Sequence, residues 1–230
     1  MKVGIQAVLW ILCVFFAYKI YDSINGPIAF NNIKTERYAK VISKLKDIGN
    51  AQAAHKDILG YYSDNLDSLV AFIDTAQYTL TQKRDSSFLE FDRIYRIDML
   101  REVIVIDTLG FASVKDSLFK DSERYENMMY IPIKGQEDTR FTLNTDILDN
   151  NGYRLPVFEV KVSKDIILHD QDKHLVALEK EVVSVDGVNG PEITLGSLTH
   201  VSTSGNWPTT YDSAKEYYRF GYKPCTVHSD

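Results

Sequence analysis

The chain has few cysteines, and it lacks the short motifs that mark many enzymes. Only two of its 230 residues are cysteine, Cys13 and Cys225. Cys13 lies inside an uncharged apolar run and Cys225 lies close to the end of the chain, so no internal disulfide is predicted. There is also no glycine-rich phosphate loop, no Gly-x-Ser-x-Gly elbow and no paired-cysteine motif. The sequence therefore predicts a protein without enzymatic activity, cofactor or bound metal.

Positive charge is also in short supply. The chain has 26 Lys and Arg against 32 Asp and Glu, which gives a formal net charge of −6. A surface that binds nucleic acid normally needs the opposite balance, so we expect no nucleic-acid partner. The hydrophobic content of 44% is ordinary for a globular protein, and the 14 tyrosines and 11 phenylalanines favour a β-rich body.

The most informative segment is an uncharged apolar run at the N-terminus, Val3–Tyr18. A bilayer core is about 30 Å thick and needs roughly 20 apolar residues. The run is short, but Lys19 can snorkel, and Tyr21 can lie at the headgroups. We therefore predict one transmembrane helix over about residues 3–21, in an anchor of residues 1–24. An ordinary buried core helix is the alternative.

This anchor also predicts where the protein resides. Lys2 favours a cytoplasmic N-terminus, whereas the basic residues soon after the helix favour the reverse. Long domains translocate largely regardless of charge. The expected location is the inner membrane of a Gram-negative bacterium, as a single-pass protein with its soluble domain in the periplasm. The expected partners are the lipid bilayer and other inner-membrane or periplasmic proteins of a multi-subunit complex.

A second helical pattern follows the anchor. Asn25-Gly26-Pro27 predicts a kink or a short joint, because proline removes a backbone donor and restricts the residue before it. From 28 to 59 apolar residues recur at intervals of three and four, which predicts an amphipathic helix that stops at Gly60. A short helix over 66–73, capped by Ser63 or Asp64, comes next.

The rest of the chain predicts a mostly antiparallel β head. Alternating or β-branched stretches mark the strands, with one helix over 171–182. The fold class is thus α+β, with three domains: the anchor 1–24, the neck and short helix 25–75, and the head 76–230. The predicted strands are 78–81, 88–91, 94–97, 102–107, 128–133 at an edge, 141–145, 157–162, 183–185 and 193–198.

Four features follow one another in the first 75 residues. They are an apolar helix beginning near Gly4-Ile5, Pro27, the amphipathic stretch Leu45–His55, and Gly60-Tyr61-Tyr62 leading into Ser63–Leu69. Together they resemble type IV pilins and the pseudopilins of type II secretion. The resemblance implies a helix that continues through a Gly-x-Tyr segment and a short helix into a β-sheet. Pilins usually carry a glutamate early in the apolar run, where this chain has Gln6 and Leu9.

Two sets of residues are candidates for contact with partners. Small residues and a lone polar residue in the apolar run can pack against or bind another helix. A ladder of basic residues just after it can contact lipid headgroups or an acidic partner, although a solvated helix face explains it as well. The helix set is Gly4, Gln6, Ala7, Trp10 and Ala17. The ladder is Lys34, Arg37, Lys40 and Lys44.

Other residues that often carry chemistry have simpler interpretations. His169 and His174 stand among acids and could bind a metal, but their spacing of five does not align on a helix face. An acid that caps a helix explains this segment better. Ser43 with Lys46 and Cys225 with His228 match nucleophile patterns in poor contexts, and His55 falls near an apolar stripe.

These observations lead to one main hypothesis and two alternatives. The main hypothesis is a non-enzymatic, membrane-anchored subunit of a bacterial cell-envelope assembly, such as a secretion, pilus-like or ion-driven motor complex. It would work by packing of helices in the membrane and docking of the head. The first alternative is a tethered periplasmic module that binds a ligand or glycan with tyrosines and Trp207. The second is a metal-dependent hydrolase around His169 and His174.

Overall fold

The structure is a computed structural model that describes residues 2–92, 96–120, 122–150 and 152–211. The chain divides into two compact units. One comprises residues 1–49 and 128–230, and the other comprises residues 50–127. The predicted thiol and base of the C-terminal tail, Cys225 and His228, lie outside the described residues.

A single long helix, α1, runs from Lys2 to Leu59. The kink or short joint predicted at Asn25-Gly26-Pro27 does not interrupt the helix, which continues through Pro27. Proline crowds the Cβ of the residue before it, and here that residue is Gly26, which has none. The predicted stop is confirmed: Gly60 has φ +86°, a left-handed value that favours glycine, and its N–H donates to the carbonyl of Lys56 at 2.8 Å.

The prediction of a transmembrane helix is wrong. Among the described residues, no helix is both long and apolar enough to cross a membrane. At about 1.5 Å per residue, the uncharged run Val3–Tyr18 covers about 24 Å, short of a hydrocarbon core of about 30 Å. Charged Lys19 and Asp22 follow it directly. The membrane anchor over residues 1–24 and the location as a single-pass inner-membrane protein are corrected accordingly.

The 50–127 unit contains a short helix and a long hairpin. Helix α2 spans Leu66–Thr75, and its cap is Asn65 rather than the predicted Ser63 or Asp64; the side chain of Asn65 accepts from the N–H of Asp67 at 2.9 Å. Strands β1 (Gln77–Asp92) and β2 (Ile97–Ser113) pair antiparallel, with a bulge between Leu80 and Thr81. Helix α3 (Val114–Leu118) follows. The predicted strands 78–81, 88–91 and 102–107 therefore belong to one hairpin, whereas residues 94 and 95 of the predicted strand 94–97 lie outside the described residues.

The other unit contains a three-stranded antiparallel sheet. Strands β3 (Thr142–Asn150), β4 (Tyr153–Ser163) and β5 (Glu192–Gly196) lie in the order β3-β4-β5. Two helices, α4 (Lys164–Ile167) and α5 (Lys173–Lys180), lie between β4 and β5 in the chain. The antiparallel α+β body is as predicted.

Two predicted strands of this unit are absent from the described fold. Around Pro132, residues 128–133 make only an isolated bridge, Tyr130 to Arg140, because proline lacks a ladder donor. Residues 183–185 form no strand. Val183 and Val185 are each 92% exposed, so no apolar face favours pairing there.

The core of this unit combines one stripe of α1 with the sheet. Gly49 of α1 leaves room for Leu195 of β5, since a Cβ at Gly49 would lie 2.9 Å from the leucine Cδ2. The buried stripe follows the predicted spacing of three and four. Its members are Tyr38, Val41, Ile42, Leu45 and Ile48. The buried side chains of β4 and β5 are Val157, Phe158, Val160, Val162, Ile193 and Leu195.

Candidate interaction surfaces on the first helix

Helix α1 has an apolar segment over residues 9–28 whose large side chains are all exposed. A helix that is hydrophobic all round is normally buried, so this exposed segment is a candidate contact surface. Every one of the following side chains is more than half exposed: Leu9, Trp10, Ile11, Leu12, Val14, Phe15, Phe16, Tyr18, Ile20, Tyr21, Ile24 and Ile28.

The predicted partner-helix residues lie on or next to this segment. Gln6, Trp10 and Ala17 are exposed, and Trp10 is 68% exposed. Gly4 and Ala7 lie in α1, but their side chains are outside the described part of the chain. Contact of this set with a partner helix stays a prediction. Within the set, the exposed indole of Trp10 offers the largest apolar area.

Most residues of the predicted basic ladder contact other parts of the same chain. Arg37 donates from both terminal nitrogens to the carboxylate of Asp170, at 2.5 and 2.8 Å, and also to the carbonyl of Ile167 at 2.8 Å. The hydrogen bonds from Arg37 hold the pKa of the Asp170 carboxyl well below its usual range. This bidentate pair ties α1 to the segment between α4 and α5.

A second tie involves a buried lysine. Lys164, at the start of α4, has no exposed surface, and it donates to the carbonyls of Glu179 and Val188 at 2.7 and 2.8 Å. Its ammonium also lies 3.4 Å from the Glu179 carboxylate, and Lys34 of α1 contacts the other carboxylate oxygen at 3.0 Å. Tyr38 donates a longer hydrogen bond, 3.4 Å, to Glu179. Glu179 thus joins α1, α4 and α5.

Burial controls the titration of this cluster. Desolvation lowers the pKa of Lys164, and the nearby Glu179 carboxylate partly opposes the change. Burial likewise raises the pKa of Tyr38, and the negative charge of Glu179 adds to the shift. The cluster is saturated with hydrogen bonds, and no buried side-chain N or O atom of the described residues lacks one. These hydrogen bonds hold α1, α4 and α5 together.

The other two members of the ladder differ from each other. Lys40 pairs with Glu36 one turn earlier at 2.6 Å, on the solvent face of α1. Lys44 donates to the carbonyl of Tyr130 at 2.8 Å, and burial lowers its pKa. Lys34, Arg37 and Lys44 therefore all contact other parts of their own chain. Contact of the ladder with headgroups or a partner stays a prediction.

Sequence reasoning did not identify Lys164 or Glu179. The only signal was weak: Lys164 directly follows β4 (Tyr153–Ser163) and comes shortly before Ile166 and Ile167, but its direct neighbours Ser163 and Asp165 are polar. A lysine that is nevertheless buried needs an acid. The identity of that acid, 15 residues further on, depends on the fold.

The histidine and acid segment of α5 is explained by capping. Asp172 accepts from the N–H of His174 at 2.7 Å and begins the helix, as the simpler interpretation predicts. The ring nitrogen Nδ1 of His169 lies 3.2 Å from the carbonyl of Ile166. Across the described ranges, no group of three or more His, Cys, Asp or Glu is arranged to hold a metal ion.

The remaining chemical candidates are also in ordinary surroundings. Lys46 of the Ser43–Lys46 pattern donates to the carbonyl of Tyr211 at 3.2 Å. His55 is buried; its Nδ1 lies 2.7 Å from the carbonyl of Tyr61, and its ring centroid lies 4.7 Å from that of Phe72. His55 is thus a packed histidine with a satisfied ring nitrogen.

Comparison of the chain with models of protein families, with curated proteins and with solved structures finds no match.

Proposed function

We propose that this protein is a non-enzymatic subunit of a multi-protein assembly, and that residues 9–28 of α1 are its contact surface for partner proteins. One observation carries the proposal: the large apolar side chains of this segment are all more than half exposed. At roughly 25 cal/mol per Å² of apolar area, covering them with another protein gives a large favourable free energy. Single exposed apolar residues need no explanation, but a continuous segment does.

The ties between α1 and the head support this role. A subunit that docks through a helix gains affinity when the helix is held in place before binding, since less conformational entropy is then lost. Arg37 with Asp170 and Lys34 with Glu179 fix the next turns of α1 to its own unit. The buried stripe at Val41 and Leu45 adds an apolar anchor. The turns of α1 that follow residues 9–28 are thus held in place by their own unit.

The order of elements favours an assembly of the secretion, pilus-like or ion-driven motor class. Helix α1 ends at Leu59, Gly60-Tyr61-Tyr62 follows, and the short helix α2 leads into strands. This is the order that the resemblance to pseudopilins implies. It supports a role in which long helices pack side by side while the rest of each subunit contacts its neighbours.

The test is to charge the segment and measure the assembly. In the full chain, Phe15→Glu replaces a side chain that is 55% exposed, and Tyr153→Glu replaces one of β4 that is 75% exposed as the control. We expect Phe15→Glu to lower the native mass of complexes isolated from the source cells, while Tyr153→Glu leaves it unchanged. Equal thermal unfolding of both variants confirms that folding is intact. A native mass that Phe15→Glu does not change would refute the proposal.

A further inference from the structure

The β1–β2 hairpin carries a second exposed apolar surface, on residues other than those of α1. Alternate residues of a strand share one face, and directly paired residues of neighbouring strands share it too. The pairing of Leu89 with Leu100, of Asp85 with Ile104 and of Lys83 with Ile106 therefore defines one face of the hairpin. Its large apolar members form what we term the hairpin apolar face: Leu89, Phe91, Leu100, Ile104, Ile106 and Phe111. Each is between 57% and 68% exposed.

The opposite face of the hairpin carries both ion pairs and apolar side chains. It carries two cross-strand ion pairs, Arg84 with Asp107 at 2.9 Å and Arg101 with Glu90 at 2.5 Å. A two-stranded ribbon is only marginally stable by itself and normally packs one face on another layer. The opposite face also carries large apolar side chains, but these are less exposed, at 46–56% for Leu80, Phe88, Ile97 and Met99. The hairpin apolar face has the more exposed apolar residues, so it is the side with the greater need for such a layer.

The size of the hairpin apolar face suits a dimer. Six large side chains that each expose roughly 100 Å² amount to about 600 Å² on one copy, the upper end of the apolar patches found on monomers. Two copies would bury about 1,200 Å², which reaches the lower bound of specific protein interfaces. The face therefore has enough area to hold two copies together.

The hairpin apolar face carries four charged residues, Asp98, Glu102, Lys83 and Asp85, and the last two can pair between copies. Lys83 and Asp85 are two residues apart on β1 and share the face. If two hairpins pack face to face about a two-fold axis between these two residues, Lys83 of each copy lies over Asp85 of the other. The same axis places Ile106 over Ile104 and Phe111 over Leu100 of the second copy, as the pairing register requires. Two apolar pairs and one pair of opposite charges then meet, each twice, while Leu89 lies over Thr79 and Glu102 over Thr108.

We propose that the hairpin apolar face is the interface of a homodimer, in which two copies pack face to face about this axis. Such an interface is isologous, so each contact occurs twice. The two hairpins would then form a small four-stranded sandwich, the arrangement in which sheets normally bury their apolar faces. This inference concerns a different surface from the proposed function and does not depend on it.

A charge reversal tests the axis directly. In the full chain, Lys83→Asp places like charges opposite Asp85, and Asp85→Lys places like charges opposite Lys83. We expect either change to raise the dissociation constant of the dimer about tenfold or more, measured by sedimentation equilibrium. The double variant Lys83→Asp with Asp85→Lys exchanges the two charges, so we expect its dissociation constant to return to within about threefold of the native value.

A second pair of variants tests which face is used. Ile104→Lys changes the hairpin apolar face, and Met99→Lys changes the opposite face, where Met99 is 46% exposed. We expect only Ile104→Lys to abolish the dimer, with circular dichroism unchanged in both. A monomeric native chain, a dimer insensitive to the reversals or a double variant that stays weak would each overturn the proposal. Because residues 9–28 are unchanged, partner binding through α1 is scored independently in the same samples.

Discussion

Two parts of α1 share one backbone conformation but differ in the burial of their apolar side chains. In residues 30–48 the apolar side chains form a stripe that is buried in the unit, and Arg37 pairs with an acid of the head. In residues 9–28 the apolar side chains surround the helix and are exposed. The difference teaches that a helical stripe specifies packing within a chain, whereas an exposed apolar surface without a stripe is not explained by packing within that chain.

The largest effect that separates the two parts is expected from leucine truncation. Leu45→Ala removes a fully buried side chain, and we expect it to lower the free energy of unfolding by about 3–4 kcal/mol, since the cavity that remains is only partly filled. Leu12→Ala changes a leucine that is 51% exposed, and we expect less than about 0.5 kcal/mol. Urea unfolding of both variants checks this, and equal losses would remove the distinction.

The next effect concerns the tie at Glu179. Glu179→Gln leaves the buried ammonium of Lys164 without its acid, so we expect a loss of about 2–3 kcal/mol in the same unfolding assay. Glu181→Gln, at an exposed position next to it in the chain, is the control and should be neutral. The double variant Lys164→Met with Glu179→Leu should recover part of the loss, because both buried charges are then gone. A neutral Glu179→Gln would show that the cluster does not hold α1.

A smaller and pH-dependent effect is expected from Asp170. Because Arg37 lowers the pKa of the folded Asp170 carboxyl, the pair stabilises the protein above the ordinary carboxyl pKa of about 4 and loses its effect as pH falls below that value. The carboxylate is about half exposed, so solvent screening limits the contribution to about 0.5–1 kcal/mol.

The test for Asp170 is the pH dependence of thermal stability. Asp170→Asn should lower the melting temperature by a few degrees at pH 7, and the difference from the native chain should shrink steadily between pH 5 and pH 2. Asp165→Asn, at an exposed carboxylate that pairs within the head, serves as a comparison for general charge effects. A difference that stays constant with pH would mean that the pair with Arg37 is not its cause.

Sequence reasoning succeeded where the signal is local. The stripe around Val41 and Leu45, the stop at Gly60 and the start of the short helix at Leu66 all follow from the residue types and spacing within a few residues. It failed where a neighbour in space decides the outcome. The two long strands of the hairpin were predicted as several short ones, because charged residues such as Lys83 and Arg84 interrupt their apolar pattern on exposed faces.

The candidate surfaces were predictable only in part. Composition alone identifies the apolar segment. It was interpreted as a transmembrane helix, but no described helix is long and apolar enough to cross a membrane. The basic ladder was recognised as well, yet its acids, Asp170 and Glu179, lie more than 130 residues away from Arg37 and Lys34. No pattern within a single sequence reveals such pairs.

The central claim is that other proteins cover residues 9–28, and Trp10 reports on it most directly. Acrylamide quenching of tryptophan fluorescence is to be compared between the native full chain and Trp10→Phe, each as purified alone and as isolated in its native complex. The difference between the two chains isolates Trp10, which is 68% exposed in the chain itself. The account predicts strong quenching of Trp10 in the purified chain and protection in the complex. Equal quenching of Trp10 in both states would contradict it.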